Sequence, residues 1–454
     1  MAFAPRRLMI GTCCAGLLAL AFNLPTPAFA QGAATASAEV SDLVCPNASP
    51  ARPEPAPHPR VEHPAPMGSE MPSDAELGPL ARTVIRPQPR LDAATIAGFA
   101  PGTIGTPRRI ALWGDSHLAG GPFAPTLIHA LHEQGLRAET RFLPPTMGRA
   151  NVVLPGLRAY CIGPSWTTVL AYTSPTALTI GPALADRVAA ASPNSYLWLD
   201  LRDAARQTDV RQVQLVYRAP AGAAIDYRID DGTQATLPLP ATAGSQTVSF
   251  RADRPIATLR LRVVGGTLDV QGFILDRAPT ARVTLDTFGI PSATVKGWAN
   301  ADPRVLAQAL HGTDYDAVVL EYGTNEGADP DFNADKYASE LSSALTNLRQ
   351  VFPQAACVLV GPPDRGVLRT GHGHRLPLLA YGRIHQRIAQ IQRDVGHRFA
   401  CAAWNWQALM GGPGGSYGWA HARPGLMGRD LIHLSPAGYR LTGQALAHSL
   451  GWSP

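Results

Sequence analysis

Beyond its first thirty residues the chain has no apolar run long enough to span a membrane, no Cys-x-x-Cys or Cys/His metal spacing, no internal repeat and little charge. The first absence leaves the N-terminal stretch as the sole candidate for insertion into a bilayer. The second leaves no sequence signal for a zinc site. Charged residues make up 16% of the chain and the net charge is +5. That is too little over 454 residues to indicate a nucleic-acid partner. It is compatible with an anionic envelope polymer.

The beginning of the chain has its own pattern. Arg6 and Arg7 form a basic start, Leu8 to Ala21 form an apolar core, and Ala28-Phe29-Ala30 fits a small-x-small cleavage site. The core is short of the roughly 20 residues that a spanning helix needs. Residues 1–30 therefore read as a secretory signal peptide, the alternative being an uncleaved anchor. Cleavage removes two arginines and brings the net charge from +5 to +3. The expected destination is the periplasm or the exterior, with no membrane span in the mature chain.

Six cysteines are present, and Cys13 and Cys14 fall in the leader. Cys45, Cys161, Cys357 and Cys401 remain, an even number that permits two disulfides in an oxidising compartment. Cys45–Cys161 and Cys357–Cys401 are the favoured pairs. The first ties the N-terminal segment to the domain, and the second bridges two neighbouring strands. Parallel neighbours often offer poor disulfide geometry, so buried free thiols stay open as the alternative.

Residues 31–105 form a Pro/Ala-rich segment, with Pro50, Pro53, Pro55, Pro57, Pro59, Pro64 and Pro66 clustered in its first half. Such a run builds no core, so residues 31–70 are expected to act as an extended tether, with 71–105 partly ordered and wrapped on the domain that follows. Strand and helix signals alternate over 106–164 and again over 281–454, which implies a parallel sheet covered on both faces. The buried strands expected in the second part are 317–322, 357–361 and 399–403. Its helices are expected at 334–351, 376–396 and 436–450.

Between the two parts the period changes to 2. Val213, Leu215 and Tyr217 alternate with Gln214 and Val216, and Leu259, Leu261 and Val263 alternate with Arg260 and Arg262. Asp231-Gly232 is a hairpin turn candidate. Residues 165–280 therefore read as an antiparallel β-sandwich inserted into an α/β domain.

Three polar clusters follow apolar runs. Ile110-Ala111-Leu112-Trp113 leads into Gly114-Asp115-Ser116-His117, and an amphipathic helix follows. A serine at such a strand-to-helix turn lies at the carboxyl end of a parallel strand, where ligands bind in open α/β sheets. The helix N-terminus also supplies backbone N–H groups there. Ala317-Val318-Val319-Leu320 leads into Glu321-Tyr322-Gly323-Thr324-Asn325-Glu326, whose asparagine amide suits a developing oxyanion. Asp430-Leu431-Ile432-His433 spaces a carboxylate and an imidazole three apart on a turn. Together these supply a nucleophile, a base and an orienting acid. His117 competes as base but adjoins Ser116, and neighbouring side chains point apart. Asp364, His372 and His374 make no metal set, because no further ligand has a fixed spacing.

At these residues the chain resembles the SGNH (GDSL-type) hydrolase family. Its blocks look like Gly114-Asp115-Ser116, Asp286-Thr287-Phe288-Gly289-Ile290, Gly323-Thr324-Asn325 and Asp430-x-x-His433. Glu326 stands where the third block usually carries Asp. The interrupted domain and Gly361-Pro362-Pro363-Asp364 make the chain similar to peptidoglycan O-acetylesterases of Gram-negative envelopes.

The resemblance implies a flavodoxin-like SGNH hydrolase fold with a carbohydrate-binding-like insertion. It implies a Ser116–Asp430–His433 triad and an oxyanion hole of the Ser116 and Gly289 N–H groups and the Asn325 side chain. The reaction is removal of O-acetyl groups from an acetylated polysaccharide, foremost peptidoglycan muramic acid, without metal or organic cofactor. The alternatives are an acetylesterase or O-acetyltransferase for another polysaccharide, and a non-catalytic glycan-binding scaffold. Oligomeric state is not legible.

Overall fold

The computed structural model describes residues 43, 45–46, 64–120, 122–174, 179–310, 314–370 and 376–453. The leader, most of the proline-rich run, and His372 and His374 lie outside the described residues. Six strands form one parallel sheet: β1 (Arg108–Gly114), β2 (Ala138–Glu139), β3 (Val283–Gly289), β4 (Ala317–Glu321), β5 (Ala356–Val360) and β6 (Cys401–Trp404). Their order is β6-β5-β4-β1-β3-β2, and every neighbouring pair is parallel. The strand order reverses beside β1. That central position is a topological switch point, where a crevice opens at the strands' carboxyl ends.

Alternation along β1 shows why helices cover both faces. Ala111 and Trp113 enter one apolar cluster with Leu341, Leu345 and Leu348 of α3 (Ala334–Val351) and Ile388, Ile391 and Val395 of α4 (Ala380–Arg398). Ile110 and Leu112 enter the other, with Phe123, Leu127 and Leu131 of α2 (Phe123–Glu133) and Tyr439 and Leu446 of α5 (Pro436–Ser449). A short helix, α1 (Ser116–Ala119), sits between β1 and α2. Full burial of each large side chain is worth about 1.5–3 kcal/mol, so a strand apolar on both faces is stable only between two helical layers. The helix read at 334–351 has those bounds, and the other two shift by a few residues at their ends.

The second sheet has ten strands in antiparallel pairing. Its longest strand, Thr258–Arg277, pairs with Ala223–Ile229 and Tyr196–Asp200 through its first part. Through its second part it pairs with Val210–Ala219 and Ala185–Ala190. It changes partners at Gly265-Gly266, so one strand belongs to both faces of the module. The hairpin at Asp231-Gly232 forms as read, with Gly232 N donating to Ile229 O at 2.9 Å.

Strands Phe142–Leu143 and Ala159–Ile162 also pair into this sheet, ahead of residue 165. Their shortness hides them from a periodicity argument. The two regions share a core: Phe142, Ile180 and Val216 pack with Trp113, Phe288 and Trp298. Trp113 Nε1 donates to Pro182 O at 2.8 Å.

Disulfides join Cys45 to Cys161 and Cys357 to Cys401. The second links parallel neighbours that stand in register, with Cα atoms 4.5 Å apart. Residues 69–99 run over the α/β domain. Ser69–Glu70 pairs with Arg369–Thr370, and Leu91 N donates to Ser449 O at 2.9 Å.

Candidate active site

The apolar strand β1 ends at Gly114, and the chain turns at once into α1. Asp115 caps that helix, its Oδ1 accepting from His117 N at 2.9 Å. Ser116 is the first helical residue, so its N–H has no intrahelical acceptor. Gly114 is needed for room: a Cβ there would come within 2.6 Å of Glu321 Oε2 and 3.0 Å of Glu321 O. Glu321, at the end of β4, uses that space to accept from Asp115 N at 3.1 Å.

On the other side of β1, Gly289 stands in register with Gly114. A Cβ on Gly289 would lie 2.3 Å from Ala119 N, so β3 closes directly onto the Ser116 helix. The chain then makes a turn in which Ala293 N donates to Ile290 O at 3.0 Å. Pro291 is second and Ser292, with φ 66°, is third, the pattern of a type II turn. Asn325 Nδ2 donates to Ala293 O at 2.9 Å and to Asp115 Oδ2 at 3.4 Å. Glu326 joins the same loops, its Oε1 accepting from Val295 N at 2.8 Å.

The third cluster arrives on the loop before α5. Ser116 Oγ is hydrogen-bonded to His433 Nε2 at 2.9 Å, and His433 Nδ1 to Asp430 Oδ2 at 2.6 Å. The other Asp430 oxygen accepts from the Ile432 and His433 N–H groups, each at 3.0 Å. One carboxylate thus shapes the turn and orients the imidazole. Burial works against the charge on Asp430, but these bonds together hold its pKa below the ordinary value. Leu431, between acid and base, has φ 56°. That conformation costs an ordinary residue of order 1 kcal/mol, and it persists where the surroundings over-determine it. Here the Leu431 side chain is fully buried and Gly366 N donates to its carbonyl at 3.0 Å.

His117 does not take the place of His433. It is buried, with Nδ1 hydrogen-bonded to Tyr439 Oη at 3.0 Å and its ring 5.2 Å from that of His433. Asp364 is also buried, and its carboxylate accepts from Gln407 Nε2, Gly414 N and Ser416 N at 2.8–3.1 Å. It ties loops together instead of facing a ligand.

Residues 265–441 match the GDSL-like lipase/acylhydrolase family. That stretch, most of the second part of the α/β domain, is similar to GDSL-like acylhydrolases. The matched stretch contains Asn325, Asp430 and His433 but not Ser116, which the fold brings to them from before the insertion. No curated protein matches the chain in sequence.

Among solved structures, a peptidoglycan O-acetylesterase is similar over 79% of this chain and 93% of its own, at 20% identity and TM-score 0.58. That likeness is one of fold. A family two carbohydrate esterase from Clostridium thermocellum, in complex with cellohexaose, aligns over 65% of this chain and 100% of its own, at 11% identity and TM-score 0.25. An acetyl xylan esterase covers 36% and 80%, at 16% identity and TM-score 0.27. Scores that low carry no argument.

Pattern reading of the sequence missed two features. One is the buried acid group behind the nucleophile. Burial raises the pKa of Asp115 and Glu321, repulsion from Glu326 adding to both, and burial lifts Glu326 to about 7. The other is the Ile290–Ala293 turn, for which Pro291 was the available signal.

Proposed function

We propose that this protein is an exported serine carbohydrate esterase that removes O-acetyl groups from peptidoglycan muramic acid through an acetyl-enzyme intermediate. The observation that carries the reading is the unbroken chain of hydrogen bonds Ser116–His433–Asp430 at the carboxyl end of β1. His433 takes the Ser116 proton as the oxygen attacks the acetyl carbonyl, and returns it to the departing sugar oxygen. Water, deprotonated by the same imidazole, then releases acetate. Asp430 holds the imidazole tautomer that leaves Nε2 free to accept.

The oxyanion is met by the Ser116 N–H and by the Asn325 amide, whose 3.4 Å bond to Asp115 is the longer of its two and the one given up. A third donor is the N–H of Gly289. Each such donor is worth roughly 3–4 kcal/mol of barrier.

The overall fold supports a glycan substrate, since the solved structure with TM-score 0.58 is a peptidoglycan O-acetylesterase. The test is acetate release from acetylated peptidoglycan, xylan and alginate at equal acetyl content, by the parent and by Ser116→Ala. The expected result is preference for peptidoglycan, abolished in the variant. Preference for xylan or alginate overturns the substrate, and an active Ser116→Ala overturns the mechanism.

A further inference from the structure

The inserted module carries a groove of its own, about 210 Å³ in volume, on the outer face of one of its sheets. Register places its residues. Trp198 stands opposite Arg260, and Arg260 opposite Arg228, across three adjacent strands. Arg262 and Asp226 face each other in the same way two positions along, and so point to the same side. The alternate residues Leu197, Leu199, Leu259 and Leu261 fill the core behind them.

The charges on this face are unbalanced. Asp226 is already satisfied: its carboxylate accepts from Arg262 Nη2 at 2.9 Å, Thr236 Oγ1 at 2.6 Å and Gln234 Nε2 at 3.0 Å. Arg228 and Arg260 have no acidic partner among the described residues. Arg260 is only 9% exposed, its Nε has no hydrogen-bond partner among the described residues, and its guanidinium lies 5.0 Å from the Trp198 ring centre. Like charges directly opposite one another weaken an antiparallel pair. An orphaned guanidinium N–H carries a desolvation cost as well. An anion seated between the two arginines removes both penalties. A carboxylate fits the guanidinium fork, and an indole beside it suits the apolar face of a sugar ring.

We propose that this groove binds a carboxylate-bearing sugar unit, gripped by Arg260 and Arg228 against Trp198. The inference rests on the polysaccharide substrate proposed above. It adds that the polymer is recognised by its acid groups at a second site. Such a contact raises the local concentration of acetylated units at Ser116 by tethering.

Binding is measured on the full chain carrying Ser116→Ala, with polymers free of acetyl groups, so the outcome does not depend on hydrolysis. The probes are polygalacturonate, its carboxyl-reduced form, and peptide-free glycan strands bearing lactyl carboxylates. Polygalacturonate or lactyl-bearing glycan should bind at least tenfold more tightly than the carboxyl-reduced polymer, and the better of the two names the source of the carboxylate. Arg228→Gln and Arg260→Gln should each remove most of that preference. Equal binding of acidic and reduced polymers, no binding of either acidic probe, or undiminished preference in the variants overturns the proposal. Arg228 is partly exposed, so its variant stays informative if Arg260→Gln fails to fold.

Discussion

Ser116 Oγ lies 2.9 Å from His433 Nε2, although 317 positions separate the two residues. The closure depends on β1 being central: the serine leaves one end of it, and the loop before α5 returns over that same end. Removing either side chain should abolish acyl transfer. Removing what orients them should cost almost as much.

Asp430→Asn tests orientation. The amide keeps the shape but presents an N–H where His433 Nδ1–H now donates, so the imidazole takes the wrong tautomer. The expected fall in kcat is about 10⁴-fold with little change in KM, read with a chromogenic acetate ester. A loss below tenfold would mean that His433 is oriented by something else.

Gly114→Ala tests the close approach of β4. The added methyl meets Glu321 Oε2 at 2.6 Å, Leu118 Cβ at 2.9 Å and a backbone oxygen at 3.0 Å. Rearrangement of a packed core of this kind costs about 1–3 kcal/mol. Tm should drop, and activity should drop further, because the turn that moves is the one that aims Ser116. Wild-type Tm and turnover would contradict the packing described.

Glu326→Gln tests the buried acids. Burial lifts the Glu326 carboxyl to about 7 in the folded protein. In the unfolded chain it titrates near its ordinary value, so between these limits the folded state holds the extra proton. Stability is therefore lost as pH rises through that window, by up to about 3 kcal/mol from this group. Thermal melts from pH 5 to pH 8 should show the variant gaining on the parent as pH rises. A constant difference across that range would contradict the raised value.

Much of this site was legible because its residues sit at strand ends. Apolar runs closed by Gly114-Asp115-Ser116 and by Gly323-Thr324-Asn325 announce a parallel sheet and its polar rim together. The three-residue spacing of Asp430 and His433 announces their hydrogen bond. The contact of Asp115 with Glu321 was not legible, because it depends on β1 and β4 being neighbours in register, which no local pattern states. Glu326 read as a departure in the third block; in the fold its carboxylate reaches the Val295 amide. The early strands of the inserted sheet escaped for a similar reason, since two to four residues are too few to show a period. Gly289 was read as a donor from its position in a motif. Its lack of a side chain also lets β3 close on α1.

The most direct measurement of the central claim is peptide mass mapping after rapid acid quench of the protein turning over an acetylated glycan. The account predicts one added acetyl group, on the peptide containing Ser116, absent in Ser116→Ala. An acetyl group on another residue, or full turnover by Ser116→Ala, would contradict it.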